Sequence, residues 1–414
     1  MSFQQGLSGL RSASTSLDTI GNNIANSGTV GFKSSSTLFS DVYAATLGGG
    51  NQVGIGVSVG GVSQQFTQGN LTTSNNPLDI AINGQGMFRL NNNGAITWTR
   101  NGQFNIDKNG YVVNTSGARL TGYLANAANI IVPSTPADIF INTADLQPQP
   151  TGGALGTGPG AKIGLNLDSR QTVIGGVFNE NDPTTYNSST SITVYDSLGN
   201  AHLMSMYFVK TAPNEWEIYT NLNGGVALGP DTLSFSSTGA LTAPTDGIIP
   251  QTHPPLVGSP AVSTGADDIN FNLNLTGSTQ YGNIFGVNSV SQDGYTSGRL
   301  AGLSVSSDGT VQGRYSNGQT RDLAQVVLGN FNNPNGLTSL GGNQWGETAD
   351  SGQPLIGVPG SGSLGVLQSA AIEESNVDLT AELVNMITQQ RAYQANAQTI
   401  KTQDQVLQTL VNLR

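Results

Sequence analysis

The stretch GNNIANSGTVGFK, Gly21–Lys33, divides the chain into two kinds of sequence. The residues ahead of it, MSFQQGLSGLRSASTSLDTI, keep apolar side chains at a helical spacing, whereas the stretch itself consists mainly of small polar residues. The sequence after it has the alternating pattern of β-strands, with turn dipeptides such as Asn93-Gly94 and Asp308-Gly309. We therefore expect an N-terminal helix that ends within this stretch and a large β region that follows it.

An apolar stripe with the 3–4 spacing of a coiled coil follows one side of the N-terminal helix. It consists of Phe3, Leu7, Leu10, Leu17 and Ile24. Gly6, Gly9 and Gly21 lie in the same segment, and each glycine costs a helix ~1 kcal/mol relative to alanine. The helix is therefore marginal by itself and needs a partner.

The C-terminal segment from Asp378 offers such a partner, because it contains neither glycine nor proline and carries a second stripe of coiled-coil spacing. This stripe consists of Leu379, Leu383, Met386, Tyr393, Ala397, Ile400, Leu407 and Val411. Two such stripes at opposite ends of one chain favour association over packing on a single core. We predict that both stripes are assembly interfaces of paired terminal helices.

The composition excludes several classes of function. The 414 residues include no cysteine, which excludes disulfides, thiolate metal sites and a cysteine nucleophile. Charged residues make up only 10% of the chain and the net charge is −11, so the clustered lysines and arginines that bind nucleic acid are missing. No apolar run approaches the ~18 residues of a membrane span. We expect no nucleic acid, no membrane insertion and no cofactor.

Motifs that suggest an enzyme are weak and isolated. Gly56–Gly60 matches the G-x-S-x-G of hydrolases, but it lies in a Gly/Val-rich run that is typical of a strand. His202 and His253 lack a neighbouring set of metal ligands, and we expect a strand end and a loop there. Asp107–Gly110 resembles the start of a calcium loop without its later acidic positions, which favours a hairpin turn. We predict neither an enzyme nor a metal site.

The long middle of the chain predicts antiparallel sheets. Ser191–Thr220 predicts a three-stranded meander, whereas Gln147–Gly160 and Ala240–Pro260 are rich in proline and glycine and suit linkers or exposed loops. If the terminal helices pair, the chain between them leaves them and returns. The predicted fold class is multidomain, with paired, coiled-coil-like terminal α-helices and nested, mainly antiparallel β domains.

Three blocks of the sequence resemble the bacterial flagellar rod and hook proteins. Trp98–Tyr123 is similar to the R-x-G-x-F-x-x-D-x-x-G-x-x-V segment of the family's first β domain, and the C-terminal segment from Glu374 is similar to its C-terminal helix. The opening stretch resembles the N-terminal signature of the family, which here consists of Asn22, Asn23, Ile24, Ala25, Asn26, Gly31, Phe32 and Lys33.

The resemblance implies nested regions. The chain length and an extra middle domain favour the hook members of the family over the shorter rod members. Expected are a terminal helical domain that lines a tube (1–28 and 376–414), a linker region (29–70 and 355–375), an inner β domain (71–146 and 282–354) and an outer β domain (147–281).

The resemblance also implies a mechanical function and a set of partners. We expect a subunit of a curved, flexible tube that acts as a universal joint and passes motor torque to the flagellar filament. Implied partners are copies of the chain itself, the distal rod protein, the hook cap, the hook–filament junction proteins and the flagellar type III export apparatus. The implied location is the extracellular flagellum, reached without a cleaved signal peptide.

Alternatives to this function come from three classes of protein. One is the distal rod protein of the same family, and another is a secreted adhesin or a phage-tail-like fibre, for which Gly/Asn-rich β structure is also suitable. An enzyme that acts on carbohydrate would need paired carboxylates in a cleft, and no acidic pair is clustered in the sequence.

Overall fold

The computed structural model describes residues 2–42, 54, 56–126, 129–153, 156, 158–254, 256–257, 262–263 and 265–412. Helix α1 (Ser2–Ala25) opens the chain and helix α2 (Leu379–Asn412) closes it, with β-strands and short 3-10 turns between them. Contact density divides the chain into two compact units. The terminal unit comprises Met1–Thr143, Gly302–Arg314 and Thr320–Arg414, and the insert unit comprises Ala144–Ala301 and Tyr315–Gln319.

The strands that precede the insert unit are short, apart from the first two. They are β1 (Ser35–Val42), β2 (Gly56–Gln64), β3 (Leu71–Thr73), β4 (Ile80–Asn83), β5 (Met87–Asn92), β6 (Ala95–Thr99), β7 (Asn105–Ile106), β8 (Val112–Val113), β9 (Arg119–Leu124) and β10 (Ala137–Asp138). Strands β1 and β2 pair antiparallel and pack on α1. The predicted turn at Asn93-Gly94 joins β5 to β6, and both of its residues have positive φ.

The strands of the insert unit are β11 (Ala161–Asp168), β12 (Ser188–Tyr195), β13 (Ala201–Ala212), β14 (Glu215–Leu222), β15 (Leu228–Phe235), β16 (Leu241–Ala243), β17 (Ile248–His253), β18 (Leu256–Val257), β19 (Val262–Ser263), β20 (Ile269–Asn274), β21 (Thr279–Tyr281) and β22 (Gly286–Gln292). One sheet has the order β17-β20-β11-β21, with β22 also on β11, and the second has the order β12-β13-β14-β15-β16. Strands β18 and β19 form a separate two-stranded sheet. A single apolar core takes Leu165 and Phe271 from the first sheet and Phe208 and Trp216 from the second.

The strands after the insert unit return to the terminal unit. They are β23 (Leu300–Val305), β24 (Thr310–Tyr315), β25 (Thr320–Val326), β26 (Leu328–Asn330), β27 (Thr338–Gly341), β28 (Gln344–Gly346), β29 (Leu355–Gly357), β30 (Val366–Ser369) and β31 (Ala371–Glu373). The main sheet of this unit contains the antiparallel run β25-β9-β5-β6-β28-β27. Its buried residues include Phe88, Leu90, Trp98 and Leu120.

The predicted meander is confirmed, because β12, β13 and β14 pair antiparallel in sequence order. The loop predicted at Ala240–Pro260 is partly wrong. Residues 248–253 form β17, which pairs with β20 and buries Ile249, Gln251 and His253. The strand tolerates Pro250 because it lies at the edge of its sheet, where proline does not interrupt a ladder on both sides. The predicted boundaries of the four nested regions stay predictions.

Candidate assembly surfaces and the junction of the helix pair

Helices α1 and α2 pack against each other, and glycines of α1 lie at the contact. A Cβ added at Gly6 would lie 3.1 Å from Cγ1 of Ile400, and one added at Gly9 would lie 2.8 Å from Nδ2 of Asn396. The two glycines therefore leave room for the side chains of Asn396 and Ile400 in α2, which accounts for residues that otherwise weaken a helix.

The buried side of α1 lies next to the predicted apolar stripe rather than on it. Phe3 is exposed, and Leu7, Leu10, Leu17 and Ile24 are only half-buried. The buried residues of the helix are mostly small and consist of Gly6, Ser12, Ala13, Ser16, Ile20 and Asn23. Small side chains allow close packing within the subunit, so the larger apolar ones remain partly accessible. Their role as an assembly interface stays a prediction.

The predicted stripe of α2 is largely uncovered. Met386, Ala397 and Ile400 are half-buried, and the side chain of Val411 lies outside the described residues. The exposed members are Leu379, Leu383, Tyr393 and Leu407, with relative accessibilities of 45%, 40%, 38% and 50%. Apolar side chains exposed to water are costly, and the role of this stripe as an assembly interface stays a prediction.

The signature residues that follow α1 form its junction with the β structure. Asn23 is buried, and its Oδ1 accepts from the backbone N of Ser35 at 2.9 Å. Its Nδ2 donates to the carbonyl of Ser35 at 2.8 Å and to Oε1 of Glu382 in α2 at 2.9 Å. This one amide therefore connects α1, β1 and α2.

The other asparagines of the signature lie at the surface end of the helix. The side chain of Asn26 donates to the carbonyl of Asn22 at 2.9 Å, and Ala25 is the last, exposed residue of α1. Asn22, Asn26 and Phe32 line a cleft of about 300 Å³ together with Trp345. These residues therefore lie where the chain leaves α1 and enters the β structure.

Gly31 occupies a position that only glycine can occupy. Its φ is +71°, and an added Cβ would lie 2.6 Å from the backbone N of Asn101. Its backbone N donates to the carbonyl of Glu373 at 2.8 Å. The backbone at Gly31 therefore contacts both Asn101, which follows β6 of the main sheet, and Glu373 of β31.

Lys33, Arg100 and Glu373 form a buried charge cluster beside this glycine. Nζ of Lys33 lies 2.6 Å from Oε1 of Glu373, and Nε of Arg100 lies 2.8 Å from Oε2 of the same carboxylate. The side-chain accessibilities are 0% for Lys33, 5% for Arg100 and 0% for Glu373. Lys33 belongs to the signature motif, but the local sequence gives no sign of its partner Glu373, which lies 340 positions away.

Two members of the cluster, Lys33 and Glu373, have shifted pKa values. Burial lowers the pKa of Lys33, although the charge of Glu373 opposes this shift. Burial raises the pKa of Glu373, but the charges of Arg100 and Lys33 outweigh burial and hold that pKa below its usual value. Glu373 is therefore ionised in the folded protein at neutral pH.

Asn376 adds neutral hydrogen bonds to the same junction. Its Oδ1 accepts from the backbone N of Ser34 at 2.7 Å, and its Nδ2 donates to the carbonyls of Gln65 and Thr67 at 2.7 and 3.3 Å. The segment before α2 is thus bound to the segments that flank the β1–β2 hairpin.

The motifs that suggested chemistry have structural roles. Gly56–Gly60 lies in β2, and the turn at Asp107 is closed by its carboxylate, which accepts from the backbone N of Asn109 and of Tyr111 at 2.8 Å. His202 lies near the start of β13, whereas His253 is the buried last residue of β17 and is not the expected loop residue. The described residues contain no group of three or more His, Asp or Glu side chains arranged to hold a metal ion.

No helix in the described part of the chain combines the length and the apolar character that crossing a membrane requires.

Four family models match successive parts of the chain. Residues 3–33 match the flagella basal body rod protein model, and residues 81–144 match the flagellar hook protein FlgE/F/G D1 domain. Residues 166–295 match the flagellar basal body protein FlaE D2 domain, and residues 368–413 match the flagellar basal body rod FlgEFG protein C-terminal model.

Full-length relatives give the same result. The chain is 44% identical over 424 residues to the flagellar hook protein FlgE of Escherichia coli strain K12, with 100% of both chains covered. It is also 44% identical over 423 residues to the flagellar hook protein FlgE of Salmonella typhimurium strain LT2, again over 100% of both. Its fold is similar to the crystal structure of Helicobacter pylori flagellar hook protein FlgE2, with TM-score 0.50, 14% identity and coverage of 72% of this chain and 99% of that one.

Proposed function

The chain belongs to the flagellar hook protein family, and from this premise we propose that its terminal helices form the inner wall of a tube that bends while it passes torque. The protein is a structural subunit of the bacterial flagellar hook and serves motility. Its assembly is a homopolymer within the hook and basal body. The rod, adhesin and phage-fibre alternatives are not favoured, because relatives that match along their whole length are hook proteins.

The uncovered stripe of α2 is the observation that carries the proposal. Leu379, Leu383, Tyr393 and Leu407 are exposed in the single chain, although their spacing is that of a helix seam. An open helical polymer needs different surfaces that meet between successive subunits. In our proposal, the stripe of α2 on one subunit packs on the half-buried leucines of α1 on the next, in coiled-coil-like contacts.

The insert unit supplies the outer surface of the proposed tube. Its long strands β12 and β13 present uncharged side chains to solvent, including Ser189, Ser191, Thr193 and Leu203. Uncharged polar groups exchange hydrogen bonds at small net cost. Contacts between outer domains of neighbouring subunits can therefore rearrange while the tube rotates in a bent shape.

The proposed partners and location follow from the family. Hook proteins are exported to the flagellum, and we propose that this chain leaves through the flagellar type III apparatus without a cleaved signal peptide and lies outside the cell. At its two ends the tube would contact the distal rod protein and the hook–filament junction proteins, and a hook cap would sit on the growing end.

Complementation tests the proposal. The chain is expressed in flagellated cells that lack their own hook gene, and the cell envelopes are imaged by electron microscopy together with a motility assay. We expect curved tubes with a central channel between rod and filament. Thin solid fibres, or cells that stay non-motile and carry only rods although the chain is exported, would contradict it.

A further inference from the structure

The buried charge cluster at the junction is unbalanced. Lys33 and Arg100 share the single carboxylate of Glu373, and all three side chains are at most 5% accessible. Buried ion clusters stabilise a fold poorly, because the loss of hydration offsets much of the attraction between the charges. Their best-attested use is to select one geometry among alternatives. The cluster is therefore better suited to selecting one arrangement of the segments that carry its three residues than to stabilising the fold.

Each member of the cluster belongs to a different segment of the terminal unit. Arg100 follows β6 in the main sheet and donates through Nη1 to the carbonyls of Gly84 and Gly86 at 2.9 and 2.6 Å. Lys33 follows α1, and Glu373 ends the last strand before α2. The sheet thus holds Arg100 in place, while Lys33 and Glu373 lie on the two segments that lead to the helices.

We propose that Lys33, Arg100 and Glu373 form a joint that sets the direction in which the helix pair leaves the sheet of the terminal unit, with Lys33 as its positioning residue. The inference rests on the proposed function, because that direction matters where helices of successive subunits meet. A small rotation at the joint is repeated at every subunit, so it changes the twist and the curvature of the whole polymer.

Lys33→Met separates positioning from folding. Without the ammonium group, the carbonyl of Thr67 still accepts from Nδ2 of Asn376 at 3.3 Å. Oε1 of Glu373 still accepts from the backbone N of Gly69 at 3.0 Å, and Arg100 still pairs with Oε2. No buried group loses its last partner, and the remaining ion pair is balanced. We expect the variant to fold normally while the segment after α1 loses its ion pair with Glu373 and keeps its hydrogen bonds to the segment before α2.

Lys108→Met is the matched control, because it makes the same chemical change at an exposed turn of the same unit. The experiment measures thermal unfolding of each purified monomer and the helical twist and curvature of tubes from cells that carry only that variant. We expect both monomers to unfold within about 3 °C of wild type. Lys108→Met tubes keep the wild-type twist and curvature, whereas Lys33→Met tubes have an altered twist or curvature or do not elongate.

Three results would overturn the inference. Lys33→Met tubes with wild-type twist and curvature would show that Lys33 positions nothing, while the tubes themselves still support the proposed function. A Lys33→Met monomer that unfolds far below the control would show that the cluster holds the fold together instead. If neither wild type nor Lys108→Met forms tubes, the proposed function fails and the inference fails with it.

Discussion

Gly9 of α1 faces Asn396 of α2 so closely that an added Cβ would lie 2.8 Å from the Nδ2 atom of that asparagine. The contact explains why α1 contains glycine at a position where alanine would make a better helix. It also places the small-residue side of α1 inside the subunit and leaves its leucines half-buried. The division of α1 into an inner and an outer side is the basis of the assembly proposed above.

Gly9→Leu should separate the helix pair. A leucine side chain would overlap the Asn396 side chain and force it to move, and overpacking costs about 1–3 kcal/mol. Circular dichroism at 222 nm should show less helix, and tubes should be fewer and shorter. Gly21→Leu is the control, because a Cβ at Gly21 meets no atom within 4 Å and the change adds about 1 kcal/mol of helix propensity. Equal effects of the two variants would argue against close packing at Gly9.

Leu383→Asp should block polymerisation and leave the monomer folded. Leu383 is 40% accessible in the single chain, so a carboxylate there remains hydrated until a neighbouring subunit covers it. Inside an apolar contact an unpaired carboxylate costs several kcal/mol, and the contact recurs in every subunit. Sedimentation measures assembly and circular dichroism measures folding.

Asn385→Asp is the control for this variant. It adds the same charge to the same helix at an exposed position that points away from Leu383. The control should assemble like wild type. Normal tubes from Leu383→Asp would show that the stripe of α2 faces solvent in the polymer.

Acid should weaken the terminal unit through Glu373. The pKa of Glu373 is lower in the folded chain than in the unfolded one, where it is about 4.3. The carboxylate therefore contributes stability above pH ~4.3, and this contribution is lost as the pH falls through the lowered folded value. Thermal unfolding measured from pH ~6 down to pH ~2 should show the loss.

Glu373→Gln should remove this part of the acid dependence. The variant leaves two buried cations without a carboxylate, so it should be less stable at neutral pH by about 3–5 kcal/mol. Its stability should then vary less with pH than that of wild type over the same range. Parallel pH profiles for the two proteins would show that Glu373 has no special role in acid unfolding.

Excision of residues 147–297, which form most of the insert unit, should leave tubes that are straighter. The backbone N of Leu146 donates to the carbonyl of Gly298 at 2.7 Å, so a short Gly/Ser linker can replace residues 147–297. A cut at 281, the predicted end of the outer domain, would remove β11 and leave its partner β22 behind. Micrographs measure the curvature of hooks from cells with only the excised chain. Hooks with unchanged curvature would show that the terminal unit alone sets the bend.

The elements with strong local signals could be predicted from sequence. The helix stop after Ala25, the long α2 and the meander of β12, β13 and β14 follow from spacing, glycines and turn dipeptides. Strand β17 could not be predicted from sequence, because Pro250 and its neighbours have the composition of a loop. The segment is a strand because it pairs with β20, which lies farther along the chain.

The buried side of α1 and the contacts at its junction could not be predicted from sequence. Hydrophobic spacing in α1 marks its large side chains, whereas the contact with α2 uses Gly6 and Gly9, which carry no hydrophobic signal. The signature motif included Lys33 and Asn23, but their partners Glu373 and Glu382 lie 340 and 359 positions away. Long-range ion pairs of this kind depend on the whole fold and leave no mark in local sequence.

A helical reconstruction of the assembled tube by electron cryo-microscopy is the decisive measurement for the proposed helix packing. It locates α1 and α2 relative to the tube axis and shows which side chains meet between subunits. We predict that the helix pairs form the innermost layer, with Leu379, Leu383, Tyr393 and Leu407 buried against neighbouring subunits. A tube in which these four side chains remain exposed to solvent, or in which the helices lie at the outer surface, would contradict it.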